Sequence, residues 1–106
     1  MFKVLRLLHR VQQYLCLSFR FSDFSIEYSS TCVYDYVAVY NGTEIDEKSK
    51  LAVLCGDLRT SPPIVQSTGN SMVVVFKTDF SGNYDGFRAS VDFRTGICYS
   101  YIYSVM

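Results

Sequence analysis

Tryptophan is absent from this 106-residue chain, and histidine occurs once, at His9. Zinc and histidine-assisted nucleophiles therefore have almost nothing to draw on, since no Cys-x-x-Cys pair exists either. Ser67, Ser71 and Ser81 have no histidine in a shared motif, and no Gly-x-Ser-x-Gly elbow occurs. Net charge is also missing: ten basic residues balance ten acidic ones. Binding to a phosphate backbone has no electrostatic footprint here, so no nucleic-acid partner is expected. No apolar run approaches the roughly 18 residues of a membrane span. The two prolines are adjacent, at Pro62-Pro63, so the chain is interrupted by proline at one place only. Nothing resembles a substrate pocket, and the chain is read as a non-enzyme.

What is abundant is the material of strands. Nine tyrosines, eight phenylalanines and runs of valine favour a pleated, half-buried surface. From Tyr14 to Phe21 the pattern alternates, with Leu15, Leu17, Phe19 and Phe21 facing one way and Tyr14, Cys16, Ser18 and Arg20 the other. Tyr34 to Tyr40 reads as a second strand, with Val37 and Val39 on the face of Asp35, ended by the Asn41-Gly42 turn signal. Leu51–Leu54 is a short apolar strand, and Asp57–Pro63 is a loop because proline cannot join a ladder. Ser71–Thr78 alternates again, with Met72, Val74 and Phe76 on one face. After the loop Ser81–Gly86, a last strand presents Phe87, Ala89, Val91 and Phe93. Short strands at this spacing, without helical period between them, indicate an all-β sandwich.

The order of several motifs is more specific than any one of them. Phe21-Ser-Asp-Phe24-Ser-Ile26-Glu27 precedes Cys32-Val33-Tyr34-Asp35-Tyr36-Val37. Leu54-Cys55-Gly56, Thr68-Gly69-Asn70-Ser71-Met72, Thr78-Asp79-Phe80-Ser81 and Gly86-Phe87-Arg88-Ala89 follow. Together they resemble a CUB domain, an extracellular module for protein recognition. The resemblance covers about three-quarters of the chain and implies an antiparallel two-sheet jelly-roll-like sandwich, CUB or spermadhesin-like, missing its first strands. It sets a partial module at residues 14–93, an atypical segment at 1–13 and a tail at 94–106. A sandwich shorn of strands leaves inner faces uncovered and edges unpaired, so marginal stability is expected.

The N-terminal Met1–Arg10 is not read as a secretory signal, because Arg6, His9 and Arg10 break its apolar run and no small-residue cleavage site follows. Val4, Leu7, Leu8 and Val11 fall at helical spacing, so a basic amphipathic helix competes with a poorly packed flank. These residues could supply at most one replacement strand. No membrane association is expected.

Four cysteines permit two disulfides, but their number does not fix the pairing. The resemblance implies a bridge between Cys32 and Cys55, at strand ends, which would need an oxidising compartment. Cys16, on the outward side by alternation, is expected as an exposed free thiol, and Cys98 lies in the tail.

In the calcium-binding subset of the family a Glu precedes an Asp by eight positions, and a second Asp sits in a Thr/Ser-Asp-x-Ser loop. Here these are Glu27, Asp35 and Asp79, so the resemblance implies a calcium site on those three, with the carbonyls of Ser81 and Gly82. Gly82 stands where Asn is common, and Asn83 is near enough to compensate. Without the resemblance, acids at strand ends read as solvated turn residues. The implied function is calcium-dependent recognition of a lysine or arginine on a protein partner, with Tyr28, Tyr34 and Tyr84 flanking that side chain. The alternative is an orphaned fragment or splice form of a multidomain extracellular protease or receptor, with no activity of its own. Asn41-Gly42-Thr43 is a glycosylation sequon in a turn, meaningful only in a secreted chain.

Overall fold

The computed structural model describes residues 2–8, 15–79 and 86–95 of the chain. Seven strands follow in order: β1 (Phe2–Leu8), β2 (Leu15–Ser25), β3 (Tyr36–Asn41), β4 (Lys50–Leu54), β5 (Ile64–Gln66), β6 (Ser71–Lys77) and β7 (Gly86–Thr95). A single turn of 3-10 helix, Glu47–Ser49, precedes β4 and is capped by Asp46, which accepts from the Lys48 amide. The strands form two antiparallel sheets, ordered β1-β6-β3-β4 and β5-β2-β7. The expected sandwich of two antiparallel sheets is what forms.

The core is the sum of the period-two faces. Leu17, Phe19 and Phe21 of β2 meet Val37 and Val39 of β3 and Met72 and Val74 of β6, all buried. Phe87 joins the layers: its ring stands edge-on to Phe76 at 5.1 Å and to Phe21 at 5.6 Å, and stacks on Phe24 at 6.0 Å. Such offsets suit rings whose edges are positive and faces negative. Phe24 lies off the odd-numbered pattern. The register of β2 against β7 slips between Phe21 and Asp23, and this bulge turns the even residues Phe24 and Ile26 inward.

Several expectations are corrected. Phe2–Leu8 is not a helix; it supplies the one replacement strand that the sequence allowed, pairing along its length with β6 from Phe2 opposite Lys77 to Leu8 opposite Ser71, while most of its side chains stay exposed. Pairing offers its backbone a full ladder, which outweighs the ambiguous spacing of its apolar residues. The two sheets are unequal, however. Leu5 pairs with Val74 on the core face yet remains 51% exposed, and Ala89 of edge strand β7 is exposed as well.

Cys16 is the second correction. It is buried, 1% exposed, and disulfide-bonded rather than a free thiol; Cys98 lies outside the described residues. Alternation gave its face correctly, but β2 is the central strand of its sheet. Ser18, on the same face, lies between Gln66 and Asp92 of the flanking strands, and longer neighbours of this kind shield small side chains.

β5 was not expected after Pro62-Pro63, and Ser67 explains its position. Its buried hydroxyl accepts from the Leu17 amide at 2.8 Å and donates to the Gly69 carbonyl at 2.6 Å, while its own amide donates to the Leu17 carbonyl at 2.9 Å. Ser67→Ala would leave the buried Leu17 amide without its acceptor. A loss of about 1–3 kcal/mol is expected, read as a lower urea midpoint at unchanged slope.

Candidate metal centre

Glu27, Asp35 and Asp79 are brought to one end of the sandwich by three separate local devices. β2 ends at Ser25, and the next residue is held where the Ile26 amide donates to the Gly56 carbonyl at 3.1 Å, with its side chain buried in the core. That fixes the start of the loop carrying Glu27. Its far end, Asp35, stands one residue before β3 and on the face of Val37 and Val39; it is buried, 4% exposed. β3 itself begins at Tyr36, so Tyr34 belongs to the loop. Asp79 follows β6. Tyr36 pairs with Lys77, so one further step of the same register sets Asp35 against the residues just past β6. The Asp79 amide donates to Asp35 Oδ1 at 3.0 Å and locks the two chains together.

The loop between Glu27 and Asp35 is braced at many points. Cys32 bridges to Cys55, as expected, with Cα atoms 5.6 Å apart. Cys32 takes a left-handed backbone, φ 53°, which turns the chain sharply. Ser29 closes that turn: its carbonyl accepts from the Cys32 amide at 3.2 Å and its hydroxyl from the Val33 amide at 3.0 Å. From the opposite strand Lys77 donates to the Val33 carbonyl at 2.8 Å, its ammonium 5.8 Å from the Tyr36 ring centre. Lys77 and Ser29 were not singled out in the sequence, and Gly56 only as part of a motif, because none carries metal chemistry; they act by holding backbone. Gly56 has φ 87°, and an added Cβ would come within 3.3 Å of the Tyr28 ring, so a side chain there is disfavoured on both counts.

One carboxylate oxygen from each of the three acids lies within 4.8 Å of the other two. Calcium binds oxygens at about 2.3–2.6 Å, so two ligands of one ion sit at most about 5 Å apart. The observed spacing satisfies that limit for all three. Ionised carboxylates at this separation repel one another, least where solvent screens the exposed Asp79. A hard divalent cation removes that cost, and an all-oxygen set favours calcium or magnesium over zinc. Burial is graded, with Asp35 enclosed, Glu27 half-buried and Asp79 exposed, so the cluster opens outward past Asp79.

Of the remaining site residues, Tyr28 and Tyr34 flank the cluster in sequence and are 70% and 52% exposed. Val33, between Cys32 and Tyr34, is exposed too and was not anticipated. Ser81, Gly82, Asn83 and Tyr84 lie outside the described residues. Asn41 stands at the far end of β3, where its side-chain amide donates to Thr68 Oγ1 at 2.6 Å and its Oδ1 accepts from the Thr68 amide at 3.1 Å. Among the described residues no helix is long and apolar enough to cross a membrane.

Comparison with known proteins agrees with the fold and the motifs. Procollagen C-endopeptidase enhancer 2 of Mus musculus is 37% identical over 79 residues, 74% of this chain and 18% of that protein. The inactive serine protease PAMR1 of Xenopus tropicalis is 40% identical over 77 residues, 73% of this chain and 10% of that protein. The chain thus spans less than a fifth of the length of either relative. The solved structure of the CUB1-EGF-CUB2 domain of human MASP-1/3 superposes with a TM-score of 0.76 at 27% identity, covering 91% of this chain and 36% of the other. The CUB domain family model matches residues 8–91, and the chain belongs to the CUB domain family.

Proposed function

We propose that this chain is a non-catalytic, extracellular protein-binding module that recognises a lysine or arginine of a partner protein in a calcium-dependent way. The observation that carries the reading is the convergence of Glu27, Asp35 and Asp79 within 4.8 Å at one braced end of the sandwich. Glu27, Asp35 and Asp79 would hold calcium. When bound, the ion supplies the positive charge that offsets their mutual repulsion and fixes their orientation.

The chain's own residues do the rest. Asp79, exposed at the mouth, offers an acidic oxygen to a basic side chain arriving from solvent, the stronger kind of hydrogen bond because both partners are charged. Tyr28, next in sequence to Glu27, and Tyr34, next to Asp35, present large exposed rings of the kind that cover the alkyl stem of such a side chain or meet its cation. The Asp79 amide, donating to Asp35, keeps the inner acid from swinging out. The partner is defined by its basic side chain alone.

Calcium titration by calorimetry on the oxidised, folded chain tests the metal half of the reading. Binding in the micromolar-to-millimolar range is expected, with a melting temperature that rises with calcium concentration. Asp35→Asn, which retains an oxygen for the Asp79 amide but loses the charge, should weaken binding roughly 100-fold while the fold persists. A folded chain that binds no calcium sinks this reading. A folded, calcium-loaded chain that ignores lysine- and arginine-bearing peptides sinks the recognition half alone.

A further inference from the structure

We propose that Asn41 is an N-glycan acceptor, placed at the end of the sandwich opposite the acidic cluster, so that the sugar and the partner occupy different poles. The proposal rests on export of the chain, as the proposed function does. Asn41-Gly42-Thr43 is the only Asn-x-Ser/Thr sequence in the chain. The structure puts it where an acceptor is accessible: Asn41 is the last residue of β3, Gly42 turns the chain with φ 92°, and Thr43 to Lys48 are exposed.

The two poles are set by β3 and β6. Asp35 precedes the first residue of β3 and Asn41 is its last, six residues on, or about 20 Å along a strand. Antiparallel β6 agrees: Lys77, two residues before Asp79, lies opposite Tyr36, and Met72 lies opposite Asn41. Thr68 and Ser71 complete the Asn41 end, the latter accepting from the Gly42 amide at 3.1 Å.

Transfer would take an oligosaccharide from a lipid-linked pyrophosphate donor. A bond forms between Asn41 Nδ2 and the anomeric carbon, the carbon–oxygen bond to the pyrophosphate breaks, and Nδ2 gives up one of its two protons. In the fold Nδ2 already donates to Thr68 Oγ1, and Oδ1 accepts from the Thr68 amide. The acceptor is therefore engaged once the turn has closed, and the modification belongs to the nascent chain. After it, Oδ1 keeps its bond from Thr68, while the exposed Thr68 hydroxyl can turn to water, so the turn tolerates the linkage.

The test is translation of the full chain, behind a heterologous signal peptide, in the presence of endoplasmic-reticulum microsomes that modify a control sequon. A single endoglycosidase-sensitive mobility shift is expected, abolished by Thr43→Ala, which leaves the Asn41–Thr68 bonds intact, and equally by Asn41→Gln. An unshifted parent chain beside a shifted control overturns the acceptor. Calcium affinity of the glycosylated chain should match that of the same chain after endoglycosidase treatment. A difference of tenfold or more overturns the separation of poles, whereas absence of calcium binding in both forms would count against the calcium reading and leave the shift intact as evidence for the acceptor.

Discussion

Phe24→Ala should lower stability by about 3–5 kcal/mol, which would leave about 0–2 kcal/mol in a domain at the low end of the usual 5–15 kcal/mol range. Phe24 has no exposed surface, packs edge-on to Phe21 at 5.2 Å and stacks on Phe87 at 6.0 Å. Its loss removes the ring that lies between the end of β2 and the start of β7, where Phe24 pairs directly with Phe87. The surrounding rings cannot collapse into the gap, because the bulge before Phe24 and the Ile26–Gly56 bond after it fix the backbone on both sides. A melting temperature lower by roughly 12–40 °C follows for a domain of this size. Phe2→Ala is the contrast: Phe2 is 60% exposed on edge strand β1, and the change should stay within about 1 kcal/mol. Equal losses from both variants, measured by urea denaturation, would refute the core assignment.

How far the sequence could be read depended on how local each determinant is. β2, β3, β6 and β7 were legible because Leu17, Phe19 and Phe21, Val37 and Val39, and Met72 and Val74 do face the core, whereas the second buried cluster on the other face of β3 and β6, around Ala38, Tyr40, Val73 and Val75, is not announced by alternation. Where that rule breaks, the cause lies between strands. The bulge near Phe21 reverses the parity that would have left Phe24 outside, and only pairing with β7 reveals it. β1 was illegible because Val4, Leu7 and Leu8 satisfy a helical and an extended pattern alike; β6 decides between them. Cys16 was misjudged because alternation reports a face and not what neighbours do to it.

The acidic cluster shows a different limit. Glu27 and Asp35 are eight positions apart and Asp79 is 44 beyond Asp35, so no composition or period unites them. Only resemblance to a known arrangement singled them out, and the register of β3 against β6 is what carries Asp79 to Asp35. Ser29, Lys77 and the bracing role of Gly56 stayed hidden because their partners are backbone carbonyl and amide groups that every residue possesses.

Removing the Cys32–Cys55 bridge should damage stability and metal binding together. The bridge spans 23 positions, and a loop of that size is worth about 3 kcal/mol in the chain-entropy description, or roughly 12–24 °C of melting temperature. Its placement adds a second consequence, since Cys32 lies inside the loop whose ends carry Glu27 and Asp35. With the bridge gone, the loop loses its covalent brace while the Ser29 and Lys77 bonds remain, and part of its ordering must be done at the expense of binding energy. The double variant Cys32→Ser with Cys55→Ser should therefore bind calcium at least about tenfold more weakly at temperatures where circular dichroism still reports a folded chain. Ser67→Ala separates this from simple destabilisation. Ser67 sits beside Thr68, at the end of the sandwich away from the acids, so its loss lowers stability without touching the loop. Calcium affinity should survive Ser67→Ala and fall in the bridge variant. If both weaken binding in proportion to stability lost, the loop is not specifically organised by the disulfide, and the acids depend only on the fold as a whole.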